Sequence, residues 1–152
     1  MSINWDDFFM EMCHTISKKS KDTVTKLGSV IVGPDNEVRS IGYNSFPRGI
    51  NDYVPIRFER PEKYNWFVHA EANAIFNAAR MGTPIKDCKI YIPWHPCNTC
   101  MMGIIQSGIY EVIIEDSTIP DRWRDLFTVS AVMANEAGVN IRVLERESIN
   151  KE

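Results

Sequence analysis

No apolar run in this 152-residue chain approaches the roughly 20 residues that a membrane span needs, so the sequence offers no membrane partner. The N-terminal stretch MSINWDDFFMEM lacks the positive charge of a secretory leader and carries acidic residues instead, so a cytoplasmic location is expected. Nor is there the basic excess on which non-specific nucleic-acid binders rely. With 17 Lys+Arg against 20 Asp+Glu the formal net charge is −3, which counts against a nucleic-acid partner and leaves any anionic ligand to be met by local groups. Disulfide-scaffold cysteine density is missing too. The cysteines are Cys13, Cys88, Cys97 and Cys100, and without a leader they point to metal or thiol chemistry rather than cross-links. What remains, at 44% hydrophobic and 24% charged residues, excludes disorder and low complexity and reads as one globular domain over residues 1–152.

Periodicity predicts the elements. Trp5, Phe8, Phe9, Met12 and Ile16 recur at helical spacing behind the N-cap residue Asn4, giving a first helix that ends near Lys19. Residues 30–32 and 38–43, joined by Gly33-Pro34-Asp35-Asn36, read as an antiparallel hairpin. Residues 44–68, with Pro47, Gly49, Pro55 and Pro61, form a loop too long for a mere connection, and such loops usually carry function. From 69 to 81 the pattern is helical and apolar on nearly every side, so that helix is expected to be buried all round. Strands at 90–92, 112–114 and 139–143 alternate with helices at 97–107 and 121–137, the last closed by Gly138. Such crossovers make these three strands parallel, with the hairpin beside them. The expected fold class is therefore α/β, a five-stranded mixed sheet with helices on both faces.

Chemistry concentrates at the starts of two of these helices. His69-Ala70-Glu71 and Pro96-Cys97-Asn98-Thr99-Cys100 spell H-x-E followed by P-C-x-x-C. Cys97 and Cys100, three residues apart, project to one side of a helix and can hold one metal ion, with His69 as third ligand. Helix N-termini favour thiolate over thiol. Three protein ligands leave a fourth tetrahedral position for water, the pattern of a catalytic zinc. Glu71, a carboxylate beside the metal, is then the candidate proton shuttle. On a regular helix positions 69 and 71 lie about 200° apart, so they converge only if the site lies at the helix end. Blander readings stand beside this one: a redox C-x-x-C pair, or a structural zinc completed by Cys88 or His95. Cys88 is most simply a core thiol. His14 is expected to be structural or solvent-facing. His95 either lines the substrate pocket or merely packs.

The H-x-E and P-C-x-x-C pair is the zinc-deaminase signature. From about residue 18 to 145 the chain resembles the deoxycytidylate (dCMP) deaminase family. The segments that carry the likeness are SKDTVTKLGSVIVG, IGYNSFPRG, the KY before HAEANAI, IYIPWHPCNTC, IIQSGIYEVII and AGVNIRVLE. The resemblance implies the three-layer α/β/α cytidine-deaminase-like fold and its branch with a parallel fifth strand. It implies Zn²⁺ held by His69, Cys97 and Cys100, Glu71 as general acid/base, and Asn44 as a sugar-contacting residue. The chain departs from the family at Ser45, where Gly is common, and at His95, where an aromatic residue is common. It departs again in PDRWRDLF, which replaces an Asp-Lys-Tyr-His-like segment. His95 and Trp123, from the last two, are assigned to the substrate pocket.

The activity implied is hydrolytic deamination of dCMP to dUMP. Alternatives are another nucleotide, nucleoside or nucleobase deaminase, a tRNA adenosine deaminase-like enzyme, or a non-catalytic zinc-binding module. A 5′-phosphate would be read by the locally basic set Lys26, Arg48, Arg57, Arg60 and Lys63, with Lys26, Arg48 and Arg57 the first choices. The apolar helices at 69–81 and 97–107 favour a homo-oligomer, a dimer or hexamer.

Overall fold

The computed structural model describes residues 1–115, 118 and 120–145; residues 146–152, the end of the expected domain, lie outside them. Helix α1 (Trp5–Ser17) starts where Asn4 Oδ1 accepts the Asp7 amide at 2.9 Å, an N-cap reinforced by Asp6 and Asp7 in the first turn. Strands β1 (Gly28–Val32) and β2 (Val38–Tyr43) pair antiparallel, and α2 (Ala70–Met81) follows the long loop. Then come β3 (Lys89–Tyr91), α3 (Asn98–Gln106), β4 (Glu111–Ile114), α4 (Arg124–Ala137) and β5 (Asn140–Val143). The sheet order is β2-β1-β3-β4-β5, with β3, β4 and β5 parallel and β1 antiparallel to both its neighbours. The hairpin, the parallel strands and the left-handed Gly138 at φ 75° agree with the sequence reading.

The strands' alternation separates two cores. Ile31, Ile90, Ile92, Val112 and Ile114 face α2, α3 and α4 through Ala70, Ala74, Ala78, Met101, Ile104 and Ala134. Val30, Val32, Tyr91 and Ile113 face α1 through Phe9, Met10 and Cys13. The sheet is thus the middle of three layers. Arg142 of β5 binds Asp6 of α1 at 2.5 Å and Glu111 of β4 at 3.3 Å, and the Tyr91 hydroxyl donates to Asp6 at 2.7 Å, so polar groups tie α1 down beyond its apolar stripe. Among the described residues no helix is long and apolar enough to cross a membrane.

Two expectations are corrected. Helix α2 is not buried all round: Phe76 is 58% and Met81 77% exposed, because the alanines at every fourth position take the sheet side, Ile75 packs at the edge of the core, and Phe76 and Met81 point away. The last helix does not begin at 121; residues Asp121–Trp123 form a 3-10 turn and the α-helix starts at Arg124.

Backbone proximity sets the position of α2. Gly42 lies so close to it that a Cβ there would come within 2.3 Å of the Ala74 nitrogen and 2.4 Å of the Ala70 oxygen. Ser29 and Ser40 donate to the carbonyls of Ala70 and Ala74 at 2.8 and 2.6 Å, and the Asn73 and Asn77 amides donate back to Tyr43 and Ile41. Gly42→Ala must push the helix off the sheet. The expected destabilisation is about 1–3 kcal/mol or more, read as a lower urea midpoint at unchanged m-value; a midpoint equal to wild type would show that the contact relaxes freely.

Candidate active site

His69 ends the long loop as the N-cap of α2, with extended backbone angles φ −68° and ψ 158°. Since His69 stands outside the helix, the 200° offset between positions 69 and 71 on a regular helix does not apply. Glu71 occupies the first helical turn, 4% exposed. Cys97 repeats the arrangement as the extended N-cap of α3, and Cys100 sits in that helix's first turn. Both helices therefore bring their positive ends to one place. The turn before α3 is fixed from α4: the buried Ser130 hydroxyl donates to the Pro96 carbonyl at 2.8 Å.

His69 Nδ1 lies 3.5 Å from Cys97 Sγ and 3.4 Å from Cys100 Sγ, and the three donor atoms lie within 4.8 Å of one another. A tetrahedral zinc with ordinary Zn–N and Zn–S bonds would set each N···S separation at roughly 3.5 Å, so the donors fit the ion. Among the described residues the cluster has these three members. Cys88 is a fully buried core thiol, as expected, and brings no fourth donor.

The electrostatics suit a cation. A hydrogen bond from the Cys100 thiol, followed by one from His69, holds the Cys97 thiol down to about 4 against the effect of burial. The shared bond with Cys97 and burial push the Cys100 thiol up, and the Cys97 thiolate raises His69 to about 9. Two thiols and an imidazole packed this closely share protons that a divalent ion would displace. Burial pushes the Glu71 carboxyl above its ordinary range, with the negative Cys97 adding to the rise and the His69 charge opposing it.

The remaining sequence candidates scatter. The Asn44 amide is spent internally, accepting from Leu27 N at 2.9 Å and donating to the Thr25 carbonyl at 2.8 Å. The next residue, Ser45, pairs with Val68, which directly precedes His69. Arg57 stacks on Trp66 at 3.7 Å and donates to the Asn51 carbonyl. Arg48 bonds Asn77 at 2.7 Å and lines a cavity of about 300 Å³ that none of His69, Glu71, Cys97 or Cys100 reaches. Lys63, grouped with the phosphate readers on charge alone, is buried against Asp22 at 2.5 Å. Lys26 and Arg60 are exposed. His95 packs edge-on against Phe127 with Nδ1 2.8 Å from the Pro96 carbonyl, and Trp123 meets Tyr64 edge-to-face at 5.3 Å. His14 is exposed and pairs with Glu115 at 2.6 Å.

Residues 3–116 match the family model described as the cytidine and deoxycytidylate deaminase zinc-binding region. The chain belongs to the cytidine and deoxycytidylate deaminase family. It is 35% identical to the deoxycytidylate deaminase of Homo sapiens over 97% of this chain and 89% of that one. It is 36% identical to a probable deoxycytidylate deaminase of Drosophila melanogaster over 92% of this chain and 72% of that one. The dCMP deaminase from the cyanophage S-TIM5, solved in complex with dCMP and dUMP, superposes with a TM-score of 0.77 at 20% identity, covering 95% of this chain and 99% of that one. That likeness shows a cytidine-deaminase-like fold. Zinc is the ion of this family region, and the His69, Cys97 and Cys100 cluster is positioned for it.

Two features escaped the sequence reading. Ser130 carried no signal, being one Ser in an amphipathic helix. Asp22 did carry one: S-x-D is a turn pattern, and it accepts the Val24 and Thr25 amides at 2.9 and 3.3 Å.

Proposed function

We propose that the protein deaminates dCMP hydrolytically to dUMP and ammonia, with His69, Cys97 and Cys100 as zinc ligands and Glu71 as general acid/base. The observation that carries the reading is the three-donor cluster at two helix N-termini with a buried carboxyl in the adjoining helical turn. Its substrate is suggested by relatives named deoxycytidylate deaminases at 35% and 36% identity. In the reaction water adds its oxygen to C4 of the base, the C4–N bond breaks and ammonia leaves. The chemistry that zinc supplies in a three-ligand site is Lewis-acid polarisation and a hydroxide nucleophile near neutral pH. Glu71 takes the proton released from water, delivers one to the ring nitrogen and passes another to the departing amine. Its burial suits this exchange, because a carboxyl kept from water gains and loses protons nearer neutral pH. Asn44 holds the 25–27 main chain at the sugar side, while His95 and Trp123 border the base.

A mononucleotide substrate requires a cation for its phosphate. Arg57, Arg48 and Lys63 already have protein partners, so exposed Lys26, next to the Leu27 amide that Asn44 holds, is the first choice. A charge-assisted hydrogen bond is worth about 1.5–3 kcal/mol, so Lys26→Ala should lower kcat/KM for dCMP by roughly 10- to 10²-fold and leave deoxycytidine unchanged. Wild type with equal kcat/KM on both substrates would move the assignment to a nucleoside or free-base deaminase. The same reading takes residues 1–152 as one deaminase domain working in the cytoplasm, where its four thiols stay reduced. Phe76, Met81 and Met102, 58%, 77% and 46% exposed on α2 and α3, support a homo-oligomer, a dimer or hexamer.

A further inference from the structure

The segment between α1 and β1 has no regular structure from 18 to 27, yet its main chain is held almost residue by residue. Asp22 accepts the amides of Val24 and Thr25, and Asn44 accepts the Leu27 amide and donates to the Thr25 carbonyl. Asn44 Nδ2 also approaches Asp22 at 3.5 Å, and the Ser20 hydroxyl accepts from the Asp22 amide while donating to the Asn44 carbonyl. At the centre lies an ion pair, Lys63 Nζ to Asp22 at 2.5 Å, with side chains only 9% and 3% exposed. Lys63 belongs to the segment that delivers His69. Its carbonyl accepts the Trp66 and Phe67 amides at 3.1 Å, its ammonium lies 5.7 Å from the Phe67 ring centroid, and Val68 then pairs with Ser45.

Burying two charges is a poor route to stability, since an uncharged pair of similar volume is often as stable or more so. Such a pair does fix geometry: it forces Lys63 and Asp22 into one register. We propose that Lys63 and Asp22 are positioning residues, a buried ionic tie that sets the 22–27 loop and Asn44 against the His69 segment and so fixes nucleotide affinity rather than the chemical step. This rests on the deaminase reading above. Asn44 bonds Thr25 and Leu27 directly, Ser45 pairs with Val68, and Lys21 pairs with Asp52, so the backbone route to residues 22–27 runs by way of Asn44; the Lys63–Asp22 pair adds a buried side-chain link straight from residues 22–27 to the 62–68 segment.

The test is steady-state ammonia release from dCMP for wild type, Lys63→Arg, Lys63→Met, Asp22→Asn and the double variant Asp22→Asn/Lys63→Met, with zinc content and thermal midpoint measured on each. The double variant leaves no orphaned charge, so it should keep its zinc and a midpoint near that of wild type. Its KM should nonetheless rise about tenfold or more while kcat stays within about threefold, since a tenfold loss of affinity corresponds to only about 1.4 kcal/mol of binding. Lys63→Arg, which keeps the charge, should recover part of the lost affinity. An unchanged KM in the double variant overturns the proposal and makes the pair purely structural, as does a kcat loss matching the KM change. Failure of all four variants to fold overturns it in the same way. If wild type leaves dCMP untouched but deaminates another compound, the dCMP reading fails, and the same KM and kcat comparison on that compound decides the tie separately.

Discussion

Replacing Glu71 by Gln is expected to lower kcat by about 10⁴-fold or more while leaving zinc content and the thermal midpoint close to wild type. General acid/base catalysis by one group commonly contributes about 10²–10⁴-fold, and here a single carboxyl serves the water, the ring nitrogen and the leaving amine in turn. Gln has nearly the same volume and carries no charge, so at this buried position the fold and the donor cluster should be kept. What Gln lacks is a proton that it can give and recover. The check is single-turnover ammonia release with zinc measured on the same sample. A variant that keeps more than about a tenth of wild-type kcat would remove Glu71 from the chemistry and favour a zinc-binding module without catalysis.

Cys100→Ala is expected to abolish both zinc binding and turnover. Cys100 is 4% exposed beneath His69 and shares its hydrogen bond with Cys97, so truncation leaves two donors and no way to complete three. Wild type should hold one zinc per chain and the variant less than about a tenth of that, with activity falling by at least about 10³-fold, because the hydroxide nucleophile depends on the ion. A stable, folded variant that keeps stoichiometric zinc, or a wild type that keeps full activity after exhaustive chelation, would contradict the ligand assignment.

Much of this was readable in the chain, and the exceptions have physical reasons. Strand alternation and helix periodicity are local, so the hairpin, the three parallel strands and the helix starts lie close to their expected places, the 3-10 turn before α4 apart. The donor cluster was legible because His69, Cys97 and Cys100 each sit at or beside a helix N-cap, and caps are sequence-local too. The burial of α2 was misjudged because composition cannot tell which side of a helix meets a sheet. Ala70, Ala74 and Ala78 do, while Phe76 and Met81 do not. The partners of the basic cluster were hidden for a different reason. Charge counts locate Lys63 and Arg57 but not their partners, and Asp22, 41 positions away in sequence, becomes the neighbour of Lys63 only when the long loop folds back. Asn44 shows the same limit, since the commitment of its amide to Leu27 and Thr25 could not be read from the chain.

The central claim, hydrolytic deamination of dCMP at the His69, Cys97 and Cys100 site, is tested most directly by following dCMP, dUMP and ammonia together in one reaction with the zinc-loaded protein. The expected result is dUMP and ammonia appearing in equal amounts as dCMP disappears, with turnover stopped by chelation and restored by zinc. Absence of ammonia from dCMP under conditions where the protein is folded and holds one zinc per chain would contradict it.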